Sequence, residues 1–326
     1  MALAFNDLCL LLEEVENISI RRPRLSQEQR KSCIQDAIRK WFSIHRQLIN
    51  HANANGGAIL SAIFPHRRKD RVYGLKSKSL SQKLTKLLGF NHIQKALFDK
   101  WTTGKAGDLG VYTAIAMKPW DGTIKNKRKI LMERVDRLLV QLAAQHRFSD
   151  PVIQKQRDFH TDTDTEIQQI FKRIDSSEAK WLVRLILREY CTIELDERFI
   201  FEQFHFLLPD LLMFQNDFDA VFSLLKGELR CYPPVPEAGL RRSMREEAGK
   251  KLSPTVGVKV GRPTFHKAWV RQSIANHMVT QLLTRFRSLS RIVSSLSAIE
   301  LGQLKLNTTA VCPESIAKPY THTNIY

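Results

Sequence analysis

Lys118, Asp121 and Gly122 fall close together in the stretch MKPWDGTIKNKR, residues 117–128. A lysine amine two residues ahead of an Asp-Gly pair is the arrangement of covalent nucleotidyl transfer, in which the amine attacks the α-phosphate of ATP and retains AMP. Here two residues, Pro119 and Trp120, stand between Lys118 and Asp121 where that arrangement has one, and position 124 is Ile where an arginine is customary. In an extended segment an odd separation sends two side chains to opposite faces. Asp-Gly then reads as a tight turn ahead of a helix beginning at Thr123. The expectation is a turn and no nucleophile.

The stretch WTTGKAGDLG, residues 101–110, offers different chemistry. Gly104, Gly107 and Gly110 with Lys105 make a basic, Gly-rich loop, and Asp108 is placed to cap a helix over LGVYTAIAM. Amide groups at a helix start beside glycines can hold a phosphate. The alternative is an ordinary capped connector. A Walker A loop is excluded, because no Gly-Lys-Ser/Thr follows at the required spacing. His66, His205 and His266 have no metal-ligand spacing, and no His-Glu-x-x-His occurs. Asp162 and Asp164 could ligate a cation, but helix capping ahead of EIQQIF is the better reading. PHRRKDR and KNKRKI are basic clusters, either solvated faces or phosphate contacts. No run of alternating aromatic and basic residues suggests single-strand binding.

These groups sit in a chain of 326 residues with 43% hydrophobic and 26% charged residues, the balance of a globular protein. A net charge of +18 favours a polyanionic partner, nucleic acid ahead of an anionic membrane surface. Five scattered cysteines without a Cys-x-x-Cys pair argue against a disulfide framework or zinc site and suit a reducing compartment. The N-terminal stretch carries four acidic residues and no basic lead, so it reads as an amphipathic helix and not a signal peptide. No apolar run has the length of a membrane span.

Helical periodicity must position the candidate groups. Phe5, Leu8, Leu11, Leu12 and Val15 share one face. Ser26 with Gln29 predicts a capping box before a second helix. KSKSLSQKLTKLLGF predicts a helix stopped by Gly89, and IKNKRKILMERVDRLLVQLAAQHRF a long basic one. SSEAKWLVRLILREY, capped by Ser176 or Ser177, has too many apolar residues for one stripe and should be buried on most sides. ERFIFEQFHFLL, stopped by Pro209, and DFDAVFSLLKG, stopped by Gly227, follow. CYPPVPEAGL is Pro-rich and reads as a linker, and Val256–Val260 is the first β-prone run. Residues 226–291 hold fourteen Lys or Arg against four Glu. After about residue 292 the pattern is that of a poorly ordered tail.

Three segments, in order, resemble one family. GKAGDLG resembles the Gly-Asp-Leu/Val-Gly element of the N-terminal DNA-binding domain of eukaryotic ATP-dependent DNA ligases. SSEAKWLVRLILREY followed by FIFEQFHFLLPDLL resembles the core helix pair of that domain, especially in DNA ligase IV and its fungal relatives. PTVGVKVGRPTFHKAW resembles the lead into the adenylation domain. The resemblance implies an all-α domain lying across the minor groove on both sides of a nick. It divides the chain into a helical DNA-binding domain (1–228), a linker (229–252), the start of an adenylation domain (253–272) and an aberrant or disordered tail (273–326). It makes Gly104, Lys105, Gly107 and Gly110 a DNA-facing loop, and Trp181, Leu182, Leu185 and Ile186 core. Lys125, Lys127 and Arg128 of the basic cluster, with Lys259 and Arg262, complete the candidate DNA contacts.

Two departures follow. The turn after the KWLVRLIL helix reads YCTIELDE, whose Glu194, Asp196 and Glu197 should repel phosphate where relatives present a basic residue and a glycine. From Trp269 to Tyr326 there is no Asp, hence no Lys-x-Asp-Gly. The expectation is therefore a nuclear, duplex-DNA-binding module of a repair or recombination ligase, cut short before its nucleophile and without joining activity of its own. ATP and Mg²⁺ belong to a complete family member, a DNA-repair scaffold protein is a possible partner, and no membrane is. The alternative is a non-catalytic helical scaffold that binds proteins.

Overall fold

A computed structural model describes residues 3–51, 54–103, 107–122, 129–190 and 193–252. Among these the chain is all helix. The α-helices are α1 (Phe5–Ile20), α2 (Gln27–Ile49), α3 (Gly56–Ile63), α4 (Ser77–Leu88), α5 (His92–Phe98), α6 (Leu109–Met117) and α7 (Met132–Ala144), then α8 (Pro151–Gln154), α9 (Thr163–Phe171), α10 (Ser176–Leu187), α11 (Glu197–Phe204), α12 (Leu208–Phe214), α13 (Phe218–Lys226) and α14 (Arg241–Lys251). No strand forms among the described residues, and one isolated antiparallel bridge joins Ala4 to Leu131. No described helix is long and apolar enough to cross a membrane. Described residues up to Glu247 form one compact unit. The proposed adenylation start and the tail lie outside the described residues.

The apolar stripe of α1 explains its place. Phe5, Leu8, Leu11, Leu12 and Val15 are all buried, each contributing about 1.5–3 kcal/mol by leaving water. α1 packs on α2 and α10, and α10 packs most extensively on α6. Ten of the twelve residues of α10 are buried, with Trp181 and Leu182 fully enclosed. A second line of packing runs from α2 through α11, α12 and α13 to α3, and on to α7. α9 closes on α4 and α7, while α5 lies against α6.

Local chemistry sets the helix ends. The Ser26 hydroxyl accepts from Gln29 N and the Gln29 side chain accepts from Ser26 N, both at 3.2 Å, a complete capping box. Gly89 ends α4 at φ +62°, a left-handed position that glycine adopts without a Cβ penalty. Asp162 caps α9 through the N–H groups of Asp164 and Thr165.

Other ends differ from expectation. α10 is capped by Asp175, with Glu178 returning to the cap N–H, so neither Ser176 nor Ser177 is the cap. Pro209 begins α12 in its first turn, where its missing N–H costs nothing, and stops no helix. α7 starts only at Met132, because Leu131 is held extended in the bridge to Ala4; Thr123 lies outside the described residues. Within the stretch read as a linker, Leu229 and Tyr232 are buried, and Phe206 N donates to Pro234 O at 3.0 Å.

Candidate nucleic-acid interface

Lys118 and Asp121 do meet, contrary to the extended-segment argument. Pro119 fixes a 3-10 turn over Lys118–Trp120, in which side chains three apart lie one above the other. Lys118 Nζ is 3.4 Å from an Asp121 oxygen. The same carboxylate accepts from Ser176 N at 2.8 Å and from Ser176 Oγ at 2.7 Å. Partial burial works against ionisation of Asp121, but the Ser176 hydrogen bonds and Lys118 outweigh it and hold the carboxyl below its ordinary value. Asp121 thus ties this turn to the start of α10, and Lys118 points to solvent. Asp121 and Gly122 do form a turn, and only the placing of Lys118 and Asp121 on opposite faces is corrected.

The Gly-rich loop is anchored from its C-terminal side. Gly104 and Lys105 lie outside the described residues, as do Lys125, Lys127, Arg128, Lys259 and Arg262. Gly107 is exposed at φ +139°, a backbone state that side-chain-bearing residues rarely adopt. Asp108 Oδ1 accepts from Val111 N at 3.1 Å and caps α6. Its Oδ2 accepts from Arg184 Nε at 2.8 Å. The start of α6 therefore already carries a carboxylate, and the capped connector is what forms there. Gly110 is buried, and a Cβ on it would lie 2.7 Å from the backbone oxygen of Lys180. It is glycine because α6 and α10 approach closely at that point.

Behind this loop is a buried ionic network that spacing did not reveal. Arg184 Nη1 reaches Glu16 Oε1 at 2.8 Å, and Lys180 Nζ reaches Glu16 Oε2 at 2.8 Å and Glu13 at 2.5 Å. Trp181 Nε1 donates to Glu13 at 3.0 Å. Both cations also lie over the indole, 4.7 Å for Arg184 and 4.8 Å for Lys180. α1, α10 and the Asp108 cap are thereby locked together. Burial of such charges is tolerable only when they are paired and hydrogen-bonded.

Two sequence clusters resolve differently from their charge. The basic run PHRRKDR is largely consumed inside the fold: Arg67 and His66 bind Glu197, Arg68 binds Asp70 and Asp219, and Arg71 binds Asp136. Burial disfavours the Arg71 cation, yet Asp136 more than compensates and raises its pKa. The acidic turn after α10 is the partner of these and other cations. Glu194 pairs with Arg30, Asp196 with Lys31, and Glu197 with His66 and Arg67. These pairs bridge α2 and the 65–67 turn, while the Glu194 side chain stays 87% exposed.

Between α4 and the 118–120 turn the cations left at the surface are lysines. Residues 74–120 contain eight Lys and two Asp. Lys78 and Lys86 of α4, Lys95 of α5, Lys100 and Lys118 are all exposed. Phe90 stacks near both Phe98 and Trp120, at 5.2 and 5.5 Å, and so draws the end of α4, α5 and the 118–120 turn together beside α6. Such a surface suits a regularly charged polyanion. Residues 4–205 match the family model described as DNA ligase N terminus. No curated protein matches the chain.

Proposed function

From the premise that this chain belongs to the DNA ligase N-terminus family, whose domain in ATP-dependent ligases binds DNA, we propose that residues 4–205 grip duplex DNA across a nick. The observation that carries this reading is the set of exposed lysines on α4, α5 and at positions 100 and 118. Phosphate neutralisation supplies the affinity, and counterion release makes it steeply salt-dependent. Lys105 and the Gly107 backbone are the proposed loop contacts, with Lys125, Lys127 and Arg128 flanking them and Lys259 and Arg262 beyond. Gly110 acts by letting α6 approach α10.

The finer reading is a ligase-IV-like role in DNA repair or recombination in the nucleus, beside a repair scaffold protein. The residues present do not fit an adenylation site. Lys-x-Asp-Gly is absent from the sequence, and Asp121 of its near match is committed to Ser176. The role proposed for these residues is DNA binding. Incubation with labelled ATP should leave no lysine–AMP adduct.

The direct test reverses paired charges, Lys95→Glu with Lys100→Glu and, separately, Lys78→Glu with Lys86→Glu. Each pair should weaken nicked-duplex binding about tenfold or more and flatten the log–log salt slope by up to about 1.8, at about 0.9 per phosphate contact. Unchanged binding in both pairs would reject this surface and favour a helical scaffold whose charge is incidental.

A further inference from the structure

The segment His146–His160 carries the two most exposed large apolar side chains among the described residues, Phe159 at 81% and Phe148 at 68%, with Val152 at 65% between them. Neither ring is bare. The guanidinium of Arg147 lies 4.6 Å from the Phe148 ring centroid, and that of Arg157 lies 4.8 Å from the Phe159 centroid. The two turns are held to one another through Gln154. Its side chain donates to Arg147 O at 3.1 Å and Ser149 O at 2.6 Å, while its carbonyl accepts from Arg157 N at 3.2 Å. Gln141 of α7 fixes the second turn by donating to Gln156 O and accepting from Asp158 N. Beneath, Ile153 packs on Ala143, Ala144 and Tyr73. The backbone of the segment is thus pinned from beneath, and the two rings and their cations project from it together with Val152.

We propose that Phe148 and Phe159, each with an arginine over one face, form a stacking site for unpaired nucleotides of single-stranded DNA. A base has a π-face for the ring and a phosphate for the guanidinium, so one ligand satisfies both groups. A purely apolar partner would have to strip water from Arg147 and Arg157 with nothing to replace it. The two carboxylates of the segment hydrogen-bond within their own turns. Asp150 accepts from Val152 N, and Asp158 from His160 N and Thr161 Oγ1. Arg147, Lys155 and Arg157 are exposed. This inference stands apart from the duplex reading, which rests on other residues.

The test is fluorescence anisotropy of the full chain with labelled oligo(dT) and, separately, with nicked duplex, for wild type, Phe148→Ala/Phe159→Ala and Phe148→Tyr/Phe159→Tyr. Because both rings face solvent, the alanine pair should fold as wild type does. Stacking predicts that the alanine pair loses about tenfold or more in oligo(dT) affinity, that the tyrosine pair keeps it, and that duplex binding is unaltered in both. Equal loss on both DNAs, no loss on oligo(dT), or no wild-type binding to oligo(dT) at low salt overturns the proposal. So does Phe-dependent binding to phosphatidylserine vesicles with oligo(dT) binding intact. Oligo(dT) binding without duplex binding sustains this site while removing the duplex reading.

Discussion

Arg184→Met tests the ionic lock behind the Gly-rich loop. The Arg184 side chain is 3% exposed and divides its fork between Asp108 and Glu16, at 2.8 Å each. Methionine keeps much of the stem that lies over Trp181 but leaves both carboxylates short of a cation. Glu16 retains Lys180, so Asp108 and the α6 cap take most of the loss. Removing one partner of a buried pair costs about 3–5 kcal/mol, and each kcal/mol shifts Tm by about 2–4 °C in a domain of this size. Urea unfolding followed by circular dichroism should therefore place the variant about 3–5 kcal/mol below wild type. Arg184→Lys should fall between, because an ammonium on a shorter stem reaches one carboxylate and not both. In a cycle with Asp108→Asn, whose amide oxygen can still cap α6, the double variant should lose about 1–3 kcal/mol less than the two single losses summed. A stability within about 0.5 kcal/mol of wild type, or strict additivity, would refute the lock.

Three further outcomes follow from single contacts. Gly110→Ala puts a Cβ against the Lys180 carbonyl at 2.7 Å and should destabilise by about 1–3 kcal/mol, read as a lowered thermal midpoint. Asp121→Ala removes an acceptor of two hydrogen bonds from Ser176 and should cost about 1.5–3 kcal/mol at neutral pH. Because the folded carboxyl titrates below its ordinary value, that contribution is whole above about pH 4 and lost as pH falls through the folded value, so the variant's deficit should shrink in acid. Burial depresses His205 to about 4, with Nε2 donating to Tyr232 O and Nδ1 accepting from Leu207 N. The unfolded chain takes that proton first, so stability is whole above about pH 6.5 and declines toward pH 4 by up to about 3 kcal/mol. His205→Gln should flatten that part of the profile in denaturant titrations.

What the sequence made legible was chemistry closed within one turn. The Ser26–Gln29 box, the Asp108 and Asp162 caps and the Gly89 stop each need partners no more than three or four residues away. The α10 cap was open to the same logic, since Glu178 sits three after Asp175; two attractive serines obscured it. Lys118 and Asp121 were misjudged because an extended chain was assumed where Pro119 favours a tight turn. Long-range pairing was the real barrier. Glu16 and Arg184 lie 168 positions apart, and nothing in either's neighbourhood announces the other. For the same reason PHRRKDR looked like surface charge, although Arg67, Arg68 and Arg71 pair with carboxylates drawn from distant parts of the chain. The Phe148 and Phe159 pairs escaped notice because Arg and Phe alternate only once in each turn.

The measurement that bears most directly on the central claim is anisotropy of the intact chain on nicked and unbroken duplexes across a salt series. The account predicts binding that favours the nicked duplex and weakens with salt at a slope of about −0.9 per phosphate contacted. A folded, helical protein with no duplex affinity at low salt, or with affinity indifferent to salt, would contradict it.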